Sequence, residues 1–147
     1  MDLILWRHAE AEEGGDDAAR RLTPKGVKQA ARMAAWLDER LPKSALMLVS
    51  PAVRAQQTAE ALSREARTSA QVNTGAQAAE ILKASGWPGG NGTVVVIGHQ
   101  PTIGATAALA VTGKAAGWRM KKGAIWWLSS GADGKAAVLA VMSPDLL

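Results

Sequence analysis

Hydrophobic residues in this chain alternate between short unbroken runs and stretches with a period near 3.6. Leu3–Trp6 is an apolar run, Ala45–Val49 is a second, and Thr93–Ile97 is a third with three consecutive valines. Runs without polar alternation predict strands buried on both faces of a parallel sheet. Val27, Ala30, Ala31, Ala34, Leu37 and Leu41 recur at helical spacing and predict an amphipathic helix over 24–40. Thr23-Pro24 opens it as N-cap and first helical residue, and Pro42 ends it. Ser50-Pro51 repeats the start signal for a helix through about Glu65, with Val53, Ala59 and Leu62 on its apolar face and Ser50 as N-cap. Ala76–Ser85 predicts a third helix; Pro101 opens a fourth to about Val111, closed by Gly113. Ala124–Ser129 and Ala136–Met142 are predicted strands joined by the hairpin turn Gly131-Ala132-Asp133-Gly134. Residues 10–21 and 86–92 read as loops, and Gln71–Asn73 as a short strand or extended chain. Trp126 and Trp127 alternate in a strand, so one is expected in the core and the other facing out. The order of elements predicts an α/β fold, with a mostly parallel sheet and a terminal antiparallel hairpin, in a single domain over residues 1–147.

Composition narrows the chemistry. The chain has no cysteine, which excludes disulfides, a thiolate nucleophile and cysteine-ligated zinc or iron–sulfur centres. Its only histidines are His8 and His99, too few for a three-histidine zinc site; a carboxylate-assisted metal site stays open at this point, and no cofactor is expected. The net charge is +4, yet no block of five like charges occurs. The six tryptophans are the only aromatics and sit mostly in apolar contexts, which argues against nucleic-acid binding. The N-terminal apolar run ends after four residues, and no run approaches the ~20 residues of a membrane span. The expectation is a cytoplasmic protein without a membrane partner.

Polar groups cluster at predicted strand ends. Arg7-His8 follows the first strand, Ser50 through Arg54 the second, and His99 the valine-rich strand. Ligands of open parallel sheets bind at the carboxyl ends of strands. Two histidines with two or more arginines suit an anion, and a phosphoryl group best, because a guanidinium matches phosphate oxygens bidentately. Arg54 falls in the first turn of its helix, where the dipole disfavours a cation unless an anion is near. No P-loop or G-x-G-x-x-G pattern is present, so side chains must hold the phosphate. Trp118, Arg119, Lys121 and Lys122 read as a solvated loop, with a basic rim for an acidic protein partner as the alternative.

Four segments in order carry a family resemblance. Arg7-His8-Ala9-Glu10-Ala11 resembles the R-H-G signature of the histidine phosphatase superfamily, with Ala9 in place of the usual glycine. Leu22-Thr23-Pro24-Lys25-Gly26 with Gln29-Ala30 resembles its L-T-x-x-G-x-x-Q-A segment. Ser50-Pro51-Ala52-Val53-Arg54-Ala55-Gln56-Gln57-Thr58-Ala59 resembles S-P-x-x-R-x-x-Q-T-A, and Gly98-His99 the second histidine motif. The length is similar to that of the SixA-type phosphohistidine phosphatases. The resemblance implies a three-layer, phosphoglycerate mutase-like α/β sandwich and a metal-independent phosphatase. It further implies a covalent phosphohistidine on His8, oxygens clamped by Arg7 and Arg54, and a pocket completed by His99, with Arg20 aligned to a further family arginine. For the general acid, Glu10 and Glu80 are the candidates, and a site without one would favour cleavage of phosphohistidine. The implied substrate is a phosphorylated protein of histidine-phosphotransfer type, reached through a site with no lid insertion. A small phosphorylated metabolite or a non-catalytic phosphate-binding role are the alternatives.

Overall fold

The computed structural model describes residues 1–147. Its centre is a six-stranded sheet built from β1 (Asp2–Arg7), β2 (Leu46–Val49), β3 (Arg67–Thr68), β4 (Thr93–Gly98), β5 (Ile125–Ser130) and β6 (Ala136–Met142), in the order β3-β2-β4-β1-β5-β6. The first four strands run parallel; β5 joins β1 antiparallel, and β6 joins β5. The apolar runs are continuous because both faces of the sheet are covered. Ile4, Trp6, Met47, Val49, Val95 and Ile97 pack with Met33 and Leu37 of α1 (Pro24–Asp38) and with Ala55 and Ala59 of α2 (Val53–Glu60). Their sequence neighbours Leu3, Leu5, Leu48, Val94 and Val96 point the other way. They meet Ile81 of α3 (Ala78–Ser85) and Ile103 and Ala107 of α4 (Thr102–Thr112). The period of two along each strand therefore divides one apolar sequence between two cores, giving the three-layer α/β sandwich.

Several local expectations change. In α1 the buried face is Gly26, Ala30, Met33, Ala34 and Leu37, whereas Val27 is 55% exposed. Gly26 sets this rotation: a β-carbon there would collide with the Glu10 carbonyl, so the glycine lets the helix lie directly on the segment after β1. Helix α2 is shorter than 50–65. Ser50 continues the sheet, its N–H donating to Ile97 O at 3.1 Å, and the turn after α2 reaches a left-handed Ser63 at φ 50°. Ala52, not Ser50, is the N-cap. The strand expected at Gln71–Asn73 lies earlier, at Arg67–Thr68, and Ala70–Val72 is a 3-10 turn. Both β3 side chains are exposed at the sheet edge, so no apolar signal marked it. Trp126 does not face out. Its ring lies 5.1 Å from that of Trp118 beside the second core, while Trp127 belongs to the first.

Candidate active site

Strand β4 lies between β1 and β2, so three consecutive strand ends share one edge. Arg7 pairs with Gly98 and Val49 with Ile97. The residues one step beyond, His8, His99 and Ser50, are thereby brought together by the register alone. The two imidazoles sit 5.1 Å apart between ring centroids, tilted by 55°. A surface depression of about 930 Å³ is at the opposite end of the sheet between Asp38, Leu46 and Arg64, and holds no histidine.

Hydrogen bonding fixes the tautomer of both histidines. His8 Nδ1 lies 2.7 Å from Ala9 O, which only accepts, so Nδ1 carries the proton. Arg54 Nε, which only donates, lies 3.3 Å from His8 Nε2, leaving that nitrogen with its lone pair. For His99 the deciding group is Asn73. Its Oδ1 accepts the Thr74 N–H at 2.8 Å, and the Ser50 hydroxyl donates to the same oxygen at 3.2 Å. Ser50 Oγ must then accept from His99 Nε2 at 2.7 Å, as it also accepts from the Ala52 N–H at 3.2 Å. His99 is protonated on Nε2, and its Nδ1 is a buried lone pair with no protein partner.

Burial pushes the His8 pKa down to about 3, with His99, Arg54 and Arg7 lowering it further against the opposing bond to Ala9. Burial and the Arg54 charge push His99 down to about 4, partly offset by Asp17. Both rings are neutral at pH 7. The unfolded chain takes up these protons near pH 6.5, whereas the folded protein resists to pH 4 and below. Stability from this source is whole above pH 6.5 and falls as the pH drops. The expected slope is at most about 2.7 kcal/mol per pH unit for two protons. Denaturant titrations from pH 7 to 4.5 should show it, and the double substitution His8→Asn with His99→Asn should flatten it.

Three arginines surround the pair. Arg54 is 3% exposed; beyond His8 it donates through Nη1 to Asp17 O at 2.7 Å and through Nη2 to Asp17 Oδ2 at 3.3 Å. Arg7 Nη1 donates to Met120 O at 2.7 Å, while its Nε is buried without a partner. Arg20 lies farther out: Nε donates to Asp17 Oδ1 at 3.1 Å and Nη1 to Glu12 O at 3.1 Å, and its charge reaches His99 as a lowering influence. A desolvated cation next to a lone-pair nitrogen, with an unpaired donor beside it, is an arrangement that a phosphoryl group completes.

Neither candidate acid hydrogen-bonds the histidine pair. Glu10 turns to Thr23 Oγ1 at 2.8 Å and Lys122 Nζ at 3.7 Å, and Glu80 is exposed on α3. No carboxyl group hydrogen-bonds either histidine, and no three His, Asp or Glu side chains cluster as a metal site would require. Sequence reasoning missed Asp17, Asn73 and Thr58. Thr58 Oγ1 accepts the Ala9 N–H at 3.0 Å and donates to Arg54 O at 2.8 Å, tying the turn after β1 to α2. Its position four residues after Arg54 within the Q-T-A segment was the available signal. Asp17 opens a 3-10 turn, Asp17–Ala19, within the stretch read as a loop, and Asn73 caps the 3-10 turn Ala70–Val72; no sequence pattern marks either turn. The Ala9 methyl packs with Leu22 and Ala30, which explains how alanine stands where glycine is usual.

Comparisons with known proteins identify the family and the fold. Residues 3–86 match the model of the histidine phosphatase superfamily, branch 1. An uncharacterised protein of Mycobacterium tuberculosis is 34% identical over 109 residues, 71% of this chain and 67% of that protein. Among solved structures, a candidate phosphohistidine phosphatase SixA from Nakamurella multipartitia has a TM-score of 0.83 at 31% identity, covering 97% of this chain and 95% of that one. The protein histidine phosphatase SixA complexed with tungstate gives 0.81 at 24% identity over 99% of both chains. A phosphoserine phosphatase of Entamoeba histolytica gives 0.73 at 18%, over 97% of this chain and 96% of that one. The last two likenesses show the shared fold.

Proposed function

Since the chain belongs to branch 1 of the histidine phosphatase superfamily, we propose that it is a metal-independent phosphohistidine protein phosphatase that works through a covalent intermediate on His8. The observation that carries the substrate class is the lack of any carboxyl group bonded to the histidine pair. An alkoxide leaving group needs a proton from such an acid; imidazole, with a conjugate-acid pKa near ~6.5, leaves far more readily.

In the first step His8 Nε2 attacks phosphorus in line. Arg54 and Arg7 hold the equatorial oxygens, with Arg20 at the outer edge. The new N–P bond forms as the substrate N–P bond breaks; the substrate ring, protonated from solvent on its other nitrogen, keeps the electron pair and leaves as neutral imidazole. Arg54 must turn its Nη groups from Asp17 to the phosphate for this contact. Water then attacks phosphorus, its proton passes to His99 Nδ1, and the electron pair returns to His8 Nε2 as inorganic phosphate leaves. The Nδ1–H bond to Ala9 keeps the reactive tautomer through both steps.

Ser50 and Asn73 orient the proton-accepting nitrogen without touching substrate. Asn73→Ala is expected to lower kcat about ten- to a hundredfold with KM little changed, since general base catalysis as a whole contributes about 10²–10⁴. Asn73→Asp, which keeps the acceptor oxygen, should recover most of the loss. Steady-state kinetics on one substrate reads the kcat and KM split.

The defining experiment measures kcat/KM for a phosphohistidine-bearing histidine-phosphotransfer protein against a panel of sugar phosphates and phosphoserine. The expected result is a preference for the phosphohistidine protein. A reversed preference moves the assignment to a small-molecule phosphomonoesterase. Absence of turnover on both, with phosphate still bound, leaves only a phosphate-binding role.

A further inference from the structure

The segment between α4 and β5 is fastened to the strand end that carries His8. Arg7 Nη1 donates to Met120 O at 2.7 Å, and Trp6 Nε1 donates to Gly123 O at 3.0 Å. The Gly123 N–H donates to His8 O at 3.1 Å, and the Arg7 N–H to Ala124 O at 3.0 Å. Met120 is 1% exposed within the second core. Between these anchors Arg119, Lys121 and Lys122 stand exposed. The backbone is held in place, so the basic side chains are displayed rather than loosely solvated.

With Arg7, Lys25 and Gln29 they line a pocket of about 260 Å³ that has no hydrophobic wall residue. Five cations there face two carboxylates, Glu10 and Asp145, which leaves net +3 in a chain whose net charge is +4. The crowding acts on the site itself: after burial, the Arg119 charge is the second cause that lowers the Arg7 pKa. An anion placed among these groups relieves the repulsion. Lys121 already holds a carboxylate in a solvent-exposed pair with Asp145 at 2.8 Å, and Lys122 lies 3.7 Å from the partly buried Glu10. The exposed Lys121 pair exchanges readily for an incoming partner.

We propose that this pocket docks Asp or Glu side chains of the protein substrate, beside its phosphorylated residue. The inference rests on the phosphohistidine protein reading and adds what that protein carries: an acidic patch next to the phosphohistidine. The pocket favours carboxylates over nucleic acid because no aromatic residue lines it for base stacking. Trp118, the nearest in sequence, packs against Trp126 with the two rings tilted by 35°.

The test has a binding arm and a turnover arm. Fluorescence anisotropy measures binding of a labelled, unphosphorylated Glu-rich peptide to the wild type and to the triple variant Arg119→Ala, Lys121→Ala, Lys122→Ala. The wild type is expected to bind with an affinity that falls as salt rises, and the triple variant about tenfold more weakly. In the second arm, phosphohistidine peptides with Glu flanks should be turned over about tenfold faster in kcat/KM than those with Gly-Ser flanks, a ratio that collapses towards one in the variant. Equal peptide affinity in both proteins overturns the proposal. So does tighter binding of a single-stranded oligonucleotide of equal charge. Turnover of both phosphohistidine peptides without any flank preference or Glu-peptide binding removes the docking pocket and keeps the phosphatase reading. Glu-peptide binding lost in the variant, with no phosphohistidine turnover, does the reverse.

Discussion

His8→Ala is expected to abolish turnover, with kcat reduced on the order of 10⁴-fold or more, as when other covalent nucleophiles are removed. Radiolabelled phosphate trapped during turnover should appear on the wild type as an acid-labile adduct and be missing from the variant. An adduct that persists in His8→Ala would assign the nucleophile elsewhere. The variant also has a stability signature. It removes a buried base held near pKa 3, so its loss of stability between pH 6.5 and 4.5 should be shallower than that of the wild type.

The second large effect is expected at Arg54. This side chain is almost wholly buried, touches His8 Nε2, and reaches Asp17 with both terminal nitrogens. Arg54→Ala should lower kcat/KM about 10²–10³-fold, the range seen when a preorganised oxyanion donor is lost. Arg54→Lys should recover little, because an ammonium offers a point charge and not a planar fork. The charge has further readouts. Arg54 is a lowering influence on both histidines and the largest one on Asp17, so its removal should raise all three pKa values, measurable by NMR titration. Raised histidine pKa values shrink the gap to the unfolded state and flatten the acid loss of stability. A variant with unchanged histidine titration would contradict the short Arg54–His8 contact.

The residues that meet in the site were legible because each lies at a strand end or in the first helical turn after one. Leu3–Trp6 located His8, Val94–Ile97 located His99, and Ser50-Pro51 located Arg54 four residues on. Glu10 was equally close in sequence, yet it turns to Thr23 and Lys122. Nearness along the chain placed its backbone and left its direction open. Asn73 and Asp17 were invisible for the converse reason. They come from short 3-10 turns whose positions depend on packing of Val72 into the second core and on Arg54 itself.

Local pattern by itself determined five of the six strands and the four α-helices, that β1, β2 and β4 are covered on both faces, and that cysteine and three-histidine chemistry are excluded. These follow from periodicity and residue type, which are properties of short stretches. Tertiary structure alone decided that β4 separates β1 from β2 and that its register sets His99 beside His8. It also decided which nitrogen of each imidazole holds its proton, and that the basic segment 119–122 is fastened to the His8 strand end. Each of these depends on partners far apart in sequence. Their hydrogen bonds are selected only when burial removes water as the competing partner.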